Sequence, residues 1–324
     1  MKLSGHHASP GRRTALLVLA LLIIALAGCD RARPLVIATH PWATYELMHL
    51  AKAEGWLGSA DVQLLSTNSA SESLHALRAR QADAAALTLD EVLRARAEGI
   101  PLTVVLVFDI SAGADMLLAR PDITRLEQLR GRRIGAETGA LGALMLERVL
   151  DAAGLTRADV EVRSVPVDAH ESVWTGGDVD ALITYEPIAS RLIDAGARRL
   201  IDSRSLPDTV IDVLAVRRDT IGPHRRALRQ LVHGHFVALR YLRRNLDDAA
   251  YRIGAGLGIS ADEVRDGFAG VKLPGPDRNR ALLRPGGPLS ESAADLAAIL
   301  VDGGWLDRTP DPDGLTDSGF LPSD

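Results

Sequence analysis

The sequence predicts an α/β protein, and three features of the amino-acid pattern support that fold class. Short apolar segments alternate with amphipathic segments from residue 35 onward, the alternation starts a second time after residue 110, and the last third is mainly helical. Strands that alternate with helices are typical of an α/β sheet whose strands are mostly parallel. We therefore expect two α/β units and a helical C-terminal part.

The first α/β series contains four apolar segments that predict strands, at residues 35–39, 62–65, 84–87 and 102–107. Amphipathic segments at residues 45–54 and from residue 69 onward predict the helices between them. Thr88 and Glu91 have the spacing of a capping box, so a further helix should begin directly after the third strand.

The second series predicts strands at residues 116–119, 133–136, 160–165, 181–184 and 213–216. Thr124 and Glu127 have capping-box spacing, and Thr138 could cap a helix over residues 140–153 that Gly154 ends. Pro187 suits the first turn of the next helix, which should run to residue 195. The last strand would return the chain to the first unit.

The C-terminal part predicts helices over residues 225–244, from residue 261 onward, and over residues 290–301. The glycine-rich residues 254–258 follow a helix, so we interpret them as a connector and not as a dinucleotide-binding loop. The residues after Trp305 are rich in Pro, Gly, Asp and Ser, which favours a loosely ordered tail.

The N-terminus has the pattern of an export signal that ends at Cys29, the only cysteine of the chain. Basic residues precede an apolar run over residues 14–27, and this run is shorter than the ~20 residues that a membrane span needs. The segment Leu26-Ala27-Gly28-Cys29 resembles a bacterial lipobox, which implies that residues 1–28 are removed and that Cys29 carries a lipid. The alternatives are an ordinary signal with an unused cysteine, or a buried free cysteine.

The composition limits the classes of function. Hydrophobic residues make up 47% and charged residues 24% of the chain, which is ordinary for a soluble domain. The net charge of −5 indicates no basic surface for nucleic acid. Clustered cysteines and the paired-histidine motif of zinc enzymes do not occur, so we expect neither a metal nor a cofactor.

Several short segments together resemble the solute-binding proteins of ABC importers, most closely those of the nitrate, taurine and alkanesulfonate type. The resemblance covers about residues 34–216, and its order and spacing are more specific than any single segment. The matching segments are Pro41-Trp42, Gly55-Trp56-Leu57, Gln81-Ala82-Asp83-Ala84-Ala85, Thr88-Leu89-Asp90, residues 109–115, residues 129–135, Ala153-Gly154-Leu155, residues 177–181 and Thr184-Tyr185-Glu186-Pro187.

This resemblance implies a two-lobed periplasmic-binding-protein type 2 fold with two hinge crossovers and a helical C-terminal part. Residues 29–33 would be a tether, residues 34–110 plus 213–307 lobe 1, residues 111–212 lobe 2, and residues 308–324 the tail. The crossovers should fall near residues 109–111 and 212–214. The implied partners are a small-molecule solute, an ABC permease and its ATPase, with membrane attachment through the lipid on Cys29 and a monomeric state.

The candidate ligand-binding residues lie where predicted strands end, because ligands of α/β sheets bind beyond the carboxyl ends of strands. Helix N-termini at these junctions offer free N–H groups, and glycine permits close approach. The candidates are Pro41, Trp42, Ser69, Ser71, Thr88, Asp90, Asp109, Ser111, Asp115, Glu137, Thr138, Gly139, Tyr185, Glu186 and Asp212.

Each candidate also has a structural interpretation. Trp42 and Tyr185 could be core residues, although their positions after equivalent strand ends predict that they face each other across the cleft. Thr88 and Thr138 could be helix caps, and Glu186 could complement a helix dipole. The three aspartates Asp109, Asp115 and Asp212 could be hinge or turn residues.

The charge of the candidate junctions indicates the class of ligand. Acidic residues dominate these motifs and no Lys or Arg falls inside them, whereas an anion pocket usually contains a cation. We therefore expect a nitrogenous cation or a neutral amide and not nitrate, taurine or a sulfonate.

The resulting hypothesis is a lipid-anchored receptor that delivers a small polar, nitrogenous solute to an ABC permease. One alternative is an enzyme with the same fold, similar to thiamine-pyrimidine synthases or menaquinone-pathway enzymes, because a fold alone does not decide function. Another is a sensory or surface-adhesion lipoprotein.

Overall fold

The computed structural model describes residues 33–323, which form two β-sheets and the helices around them. Cys29 and the predicted signal lie outside the described residues. In the first part of the chain the elements are β1 (Leu35–Thr39), α1 (Glu46–Ala53), β2 (Val62–Ser66), α2 (Ala70–Arg78), β3 (Ala84–Thr88), α3 (Leu89–Ala97) and β4 (Leu102–Ser111).

The middle of the chain contains β5 (Asp115–Ala119), β6 (Arg133–Ala136), α4 (Leu141–Ala153), β7 (Glu161–Ser164), α5 (His170–Gly176), β8 (Ala181–Tyr185), α6 (Ile188–Asp194) and β9 (Arg198–Asp202). The remaining elements are β10 (Ile211–Arg217), α7 (Arg218–Arg244), α8 (Leu246–Leu257), α9 (Ala261–Ala269), β11 (Val271–Lys272), α10 (Pro276–Leu282) and α11 (Pro288–Asp302). None of the helices in residues 33–323 is both long and apolar enough to cross a membrane.

The two sheets define two lobes. The sheet of lobe 1 has the strand order β11-β4-β10-β3-β1-β2, and the sheet of lobe 2 has the order β7-β6-β8-β5-β9. Apolar clusters cover both faces of each sheet, so each lobe has its own core. The prediction of two α/β units therefore agrees with the structure.

The expectation of mostly parallel strands is only partly met, because each sheet contains a strand that runs against its neighbours. Within lobe 1, β1 pairs in parallel with β2 and β3, but β10 pairs antiparallel with both β3 and β4. Within lobe 2, β5 pairs antiparallel with β8 and β9. The strands β5 and β10 run opposite to their neighbours because each enters its sheet from the other lobe instead of after a helical crossover.

The crossovers are displaced from their predicted positions. Strand β4 continues to Ser111 and pairs with β10 as far as Ile110 opposite Ile211, so residues 109–111 and 212–214 are paired sheet residues. The chain changes lobes at residues 112–114 and 203–210 instead. Hydrogen bonding between the neighbouring strands β4 and β10 extends both strands beyond their apolar stretches.

The C-terminal tail is packed on lobe 1, which contradicts the expected loose order. The Val104 backbone N–H donates to the Leu315 carbonyl at 2.7 Å, and the Asp317 N–H donates to the Val104 carbonyl at 2.9 Å. Phe320 is 1% exposed. The composition of the tail predicted loose order, but its apolar side chains Leu315 and Phe320 are buried and attach the tail to the core.

Smaller local predictions also change. Gly254 and Gly256 lie inside α8 and not in a connector, whereas Gly258 ends that helix in the left-handed conformation at φ 71°. Helix α7 begins at Arg218 instead of residue 225. At residues 124–128 the capping acceptor is Gln128, whose side chain accepts from the Thr124 and Arg125 backbone N–H groups, and not Glu127.

Candidate functional site

A cavity lies between the two sheets. It is bounded by the ends of β1, β3 and β8 and by the first residues of α2 and α4. Its polar lining consists of four carboxylic acids, two histidines, two aromatic side chains and two threonines, namely Glu91, Asp115, Glu137, Asp212, His40, His170, Trp42, Tyr185, Thr88 and Thr184. None of the described residues that line it is a lysine or an arginine.

Trp42 and Tyr185 meet across the cavity, one from each lobe. Their ring centroids are 5.6 Å apart and their planes are nearly perpendicular at 87°. This edge-to-face arrangement is a favourable geometry for aromatic pairs. The two residues therefore face each other as their positions after the strand ends predicted.

Asp109 lies behind Trp42 and does not line the cavity. Its carboxylate accepts hydrogen bonds from the Trp42 indole N–H at 3.1 Å and from the Thr44 hydroxyl at 2.5 Å. Burial raises the pKa of Asp109 to about 6, although these two hydrogen bonds favour the ionised form. Asp109 thus holds the indole ring in place through Oδ2, while its buried Oδ1 has no partner among the described residues.

Asp212 lines the cavity from β10 and accepts a hydrogen bond from the Tyr45 hydroxyl. Burial, and then the negative charge of Asp109, raise the pKa of Asp212 well above its ordinary range. Tyr45 was not among the candidates. The sequence analysis placed Tyr45 only at the start of a helix, and no local pattern predicts the contact of its hydroxyl with Asp212.

Asp115 is the least satisfied carboxylic acid of the cavity. It is 3% exposed, and its Oδ2 atom has no hydrogen-bond partner among the described residues. Burial raises its pKa to about 7, against the effect of a hydrogen bond from Ser111. Ser111 itself does not line the cavity, and its hydroxyl lies 2.7 Å from that of Ser203 beside the crossovers.

Glu91 is a cavity residue that the sequence analysis identified only as a helix cap. One carboxylate oxygen accepts from the Thr88 N–H of lobe 1 at 2.8 Å, and the other accepts from the Leu141 N–H of lobe 2 at 3.2 Å. Burial, and then the charge of Asp90, raise the pKa of Glu91 to about 8. No local pattern could have shown the contact with Leu141, which is 50 residues away in the chain.

Asp90 does not line the cavity. It is fully buried, and one of its oxygens accepts from the Thr88 hydroxyl at 2.7 Å. Burial raises its pKa. Thr88 borders the cavity, but its hydroxyl is directed to Asp90, so Thr88 acts in helix capping more than in ligand contact.

Glu137 also connects the two lobes at the cavity. It accepts from the Ser71 hydroxyl at 2.6 Å and from the Ser71 backbone N–H at 3.3 Å. Burial raises its pKa, and these hydrogen bonds lower it. Ser71 therefore binds Glu137, while Ser69 caps α2 by accepting from the Glu72 N–H at 3.3 Å, and neither serine lines the cavity.

The loop before α4 allows this close approach. A Cβ atom on Gly139 would lie 3.1 Å from the Ser71 hydroxyl oxygen, and one on Gly142 would lie 2.6 Å from the Glu137 backbone nitrogen. Thr138 does not cap α4, because its hydroxyl donates to Ser164 at 2.7 Å and the N-cap residue is Ala140.

His40 and His170 are cavity residues that the sequence analysis missed. Burial lowers the pKa of each to about 4, so both are neutral at pH 7. His170 Nε2 donates to the Val165 carbonyl at 3.3 Å, which leaves Nδ1 to accept from the Thr184 hydroxyl at 3.0 Å. His40 Nδ1 has no hydrogen-bond partner among the described residues.

Pro41 and Glu186 border a neighbouring pocket instead of the main cavity, and Trp42 lines both. The Glu186 carboxylate accepts from the Ser190 N–H at 3.0 Å within α6. Glu186 therefore lies at the N-terminus of α6, where its carboxylate complements the helix dipole, which was its alternative interpretation. Within residues 33–323 no group of His, Cys, Asp and Glu side chains is arranged to hold a metal ion.

Comparison with protein-family models matches residues 30–255 to the NMT1-like family. No curated protein gives a significant match.

Solved structures with similar folds include two alkanesulfonate-binding proteins called SsuA. The protein from Xanthomonas axonopodis pv. citri, bound to MOPS, is 18% identical, has a TM-score of 0.70, and aligns over 88% of this chain and 97% of its own. The periplasmic aliphatic sulphonate binding protein from Escherichia coli is 14% identical, has a TM-score of 0.72, and aligns over 88% of this chain and 92% of its own.

The desulfurization enzyme DszB has the same fold, with 18% identity, a TM-score of 0.62, and coverage of 88% of this chain and 97% of its own. These similarities confirm the predicted fold class, a two-lobed α/β fold of the periplasmic-binding-protein type. Because the fold is common to binding proteins and an enzyme, function must be argued from the cavity.

Proposed function

Since the chain belongs to the NMT1-like family, we propose that it is an exported solute receptor that captures a small nitrogenous ligand between two lobes. The observation that carries this proposal is the cavity between the lobes, where four buried carboxylic acids occur without a lysine or arginine among the described lining residues. The alkanesulfonate-binding relatives support the receptor role through their shared fold.

Contacts across the cavity support ligand capture by lobe closure. Trp42 stacks edge-on against Tyr185, Ser71 binds Glu137, and Glu91 binds the Leu141 N–H, each pair joining lobe 1 to lobe 2. Hinge closure around a ligand needs flexible segments between rigid bodies. We assign the bodies to residues 34–111 plus 211–323 and to residues 115–202, with hinge movement at residues 112–114 and 203–210.

The electrostatics of the cavity favour a ligand that donates hydrogen bonds. A buried carboxylate without a partner is unfavourable, and here burial raises the pKa of Asp115 to about 7 and that of Glu91 to about 8. An amine, amidine or guanidinium group would supply both positive charge and N–H donors. A neutral urea-like group would supply the donors alone, whereas a sulfonate or nitrate would supply neither.

Calorimetry on ligand-stripped protein tests this ligand class. We expect amines, guanidines or ureas to bind and nitrate, taurine and alkanesulfonates not to bind. A cation stabilises ionised carboxylates, so its binding should release protons and its affinity should rise from pH 6 to pH 8. Titrations in buffers of different ionisation enthalpy measure the proton release, and a neutral urea provides the comparison without a charge.

Tight sulfonate binding together with no response to nitrogenous ligands would contradict the proposed ligand class. Conversion of a bound ligand into a product would favour the alternative of an enzyme with this fold. A lipid on Cys29 and delivery of the solute to an ABC permease with its ATPase complete the proposal. Co-purification of the permease with loaded but not with ligand-free receptor would support that delivery step.

A further inference from the structure

Two helix N-termini from opposite lobes meet at the cavity. Helix α2 of lobe 1 begins at Ala70, helix α4 of lobe 2 begins at Leu141, and both residues line the cavity. The first N–H groups of a helix lack partners within the helix and carry partial positive charge. Such positions attract anions even where no basic side chain is present.

The protein's own carboxylates already occupy both N-termini, and each comes from the opposite lobe. Glu137 of lobe 2 accepts from the backbone N–H and the hydroxyl of Ser71, in the first turn of α2. Glu91 of lobe 1 accepts from the N–H of Leu141, the first residue of α4, whose own N-cap residue Ala140 makes no side-chain cap. The arrangement is reciprocal.

Other polar atoms of the cavity remain without partners. Asp115 Oδ2 and His40 Nδ1 are fully buried atoms that line the cavity and have no hydrogen-bond partner among the described residues. Buried polar atoms of this kind are unfavourable unless a ligand or water satisfies them. The unpartnered side-chain groups at the cavity are therefore an acid and a neutral histidine, while the N–H groups of Ser71 and Leu141 are already bound to carboxylates.

We propose that Glu91 and Glu137 are specificity-determining residues that exclude anionic solutes by filling the helix N-termini of the opposite lobe. This inference rests on the proposed function as a receptor for a nitrogenous solute. An incoming anion would have to displace a carboxyl group from its N–H donors and, where that group is ionised, would then lie beside a like charge in a poorly solvated cavity. Repulsion built against the wrong ligand is a common source of specificity.

The test uses methanesulfonate as the anionic probe and dimethyl sulfone as a neutral probe of similar shape. Glu137→Ala frees the Ser71 N–H, and Glu91→Ala frees the Leu141 N–H. Glu137→Gln retains an oxygen that can accept from Ser71 but removes the charge. Asp115→Asn is the matched control, because it removes one negative charge from the same cavity without exposing a helix N-terminus.

We expect Glu137→Ala to bind methanesulfonate at least about tenfold more tightly than the parent, with no change for dimethyl sulfone, and the double alanine variant to gain more. Glu137→Gln and Asp115→Asn should gain much less. Calorimetry measures the affinities, and a rise in melting temperature with added methanesulfonate reports weak binding. Glu91→Ala also loses the hydrogen bond from the Thr88 N–H. If Glu91→Ala does not fold, the Glu137 variants test the proposal on their own.

Two results would overturn the inference. In one, parent and Glu137→Ala bind methanesulfonate equally well. In the other, Asp115→Asn gains as much as Glu137→Ala, which would assign the effect to total charge. If the parent protein binds no amine, guanidine or urea, the proposed ligand class is wrong. The comparison of methanesulfonate affinities still tests the role of Glu137 in that case.

Discussion

Replacing Asp115 by asparagine should make the ligand-free protein more stable at alkaline pH. The substitution keeps the size and shape of a side chain that is 3% exposed, and it removes the ionisable group whose Oδ2 atom has no partner among the described residues. An asparagine amide is neutral at every pH between 4 and 9. Any difference in pH dependence between variant and parent therefore measures the ionisation of Asp115.

The magnitude follows from the pKa of this carboxyl group. Burial raises the pKa of Asp115 from 3.8 to about 7, so the folded protein holds the proton more tightly than the unfolded chain. The parent therefore loses stability as pH rises from about 4 to about 7. The accumulated loss is about 4 kcal/mol by pH 8, of which about 3 kcal/mol falls between pH 5 and pH 8.

Chemical denaturation of both proteins at pH 5, 6.5 and 8 measures this effect. Buried His40 and His170, whose pKa values are lowered to about 4, act in the opposite direction below pH 6.5, but they are present in both proteins and cancel in the difference. The stability advantage of Asp115→Asn should grow by up to about 3 kcal/mol from pH 5 to pH 8. Exposed Asp295→Asn is the control for the substitution itself. A constant difference for Asp115→Asn would refute the argument.

Three further predictions concern the aromatic pair, the anchor and the tail. Tyr185→Ala should weaken ligand binding about tenfold by removing the partner of Trp42 while the circular dichroism spectrum stays native, and unchanged calorimetric affinity would contradict a role in binding. Cys29→Ser should abolish palmitate labelling and release the exported protein from the membrane fraction, whereas retained labelling would exclude Cys29 as the lipid site. Phe320→Ala should destabilise the protein by about 3 kcal/mol or more in denaturant titrations, since this ring is 1% exposed, and an unchanged midpoint would mean that the tail adds no stability.

The sequence predicted the elements whose signals are local. The apolar segment at residues 84–87 became the buried strand β3, and Gly154 ends α4 with φ 63°, because hydrophobic periodicity and backbone conformation act over a few residues. The direction of β10 could not be predicted in this way. It depends on the return of the chain from lobe 2, which no pattern within β10 encodes.

The candidate site shows the same division. Trp42 and Tyr185 were identified because each follows a strand end, where ligands of α/β sheets bind, and the two sheets present these ends to the same cavity. Asp109 was predicted to contact the ligand but does not line the cavity. A local motif does not show that the Trp42 indole and the Thr44 hydroxyl donate to its carboxylate. His40 and His170 were missed because only the folded cavity makes them buried and neutral.

Gly139 of lobe 2 lies close to Ser71 of lobe 1. A covalent link at this point would change how long a solute stays bound without changing its contacts in the cavity. A Cβ atom at position 139 would lie 3.1 Å from the Ser71 hydroxyl oxygen, a spacing compatible with a disulfide if both positions carried cysteine. Cys29 is the only cysteine of the chain, so after Cys29→Ser the pair Ser71→Cys and Gly139→Cys would supply the only thiols. Oxidation after loading would trap the solute between the lobes, and its escape would then follow the rate of thiol reduction instead of the strength of the cavity contacts.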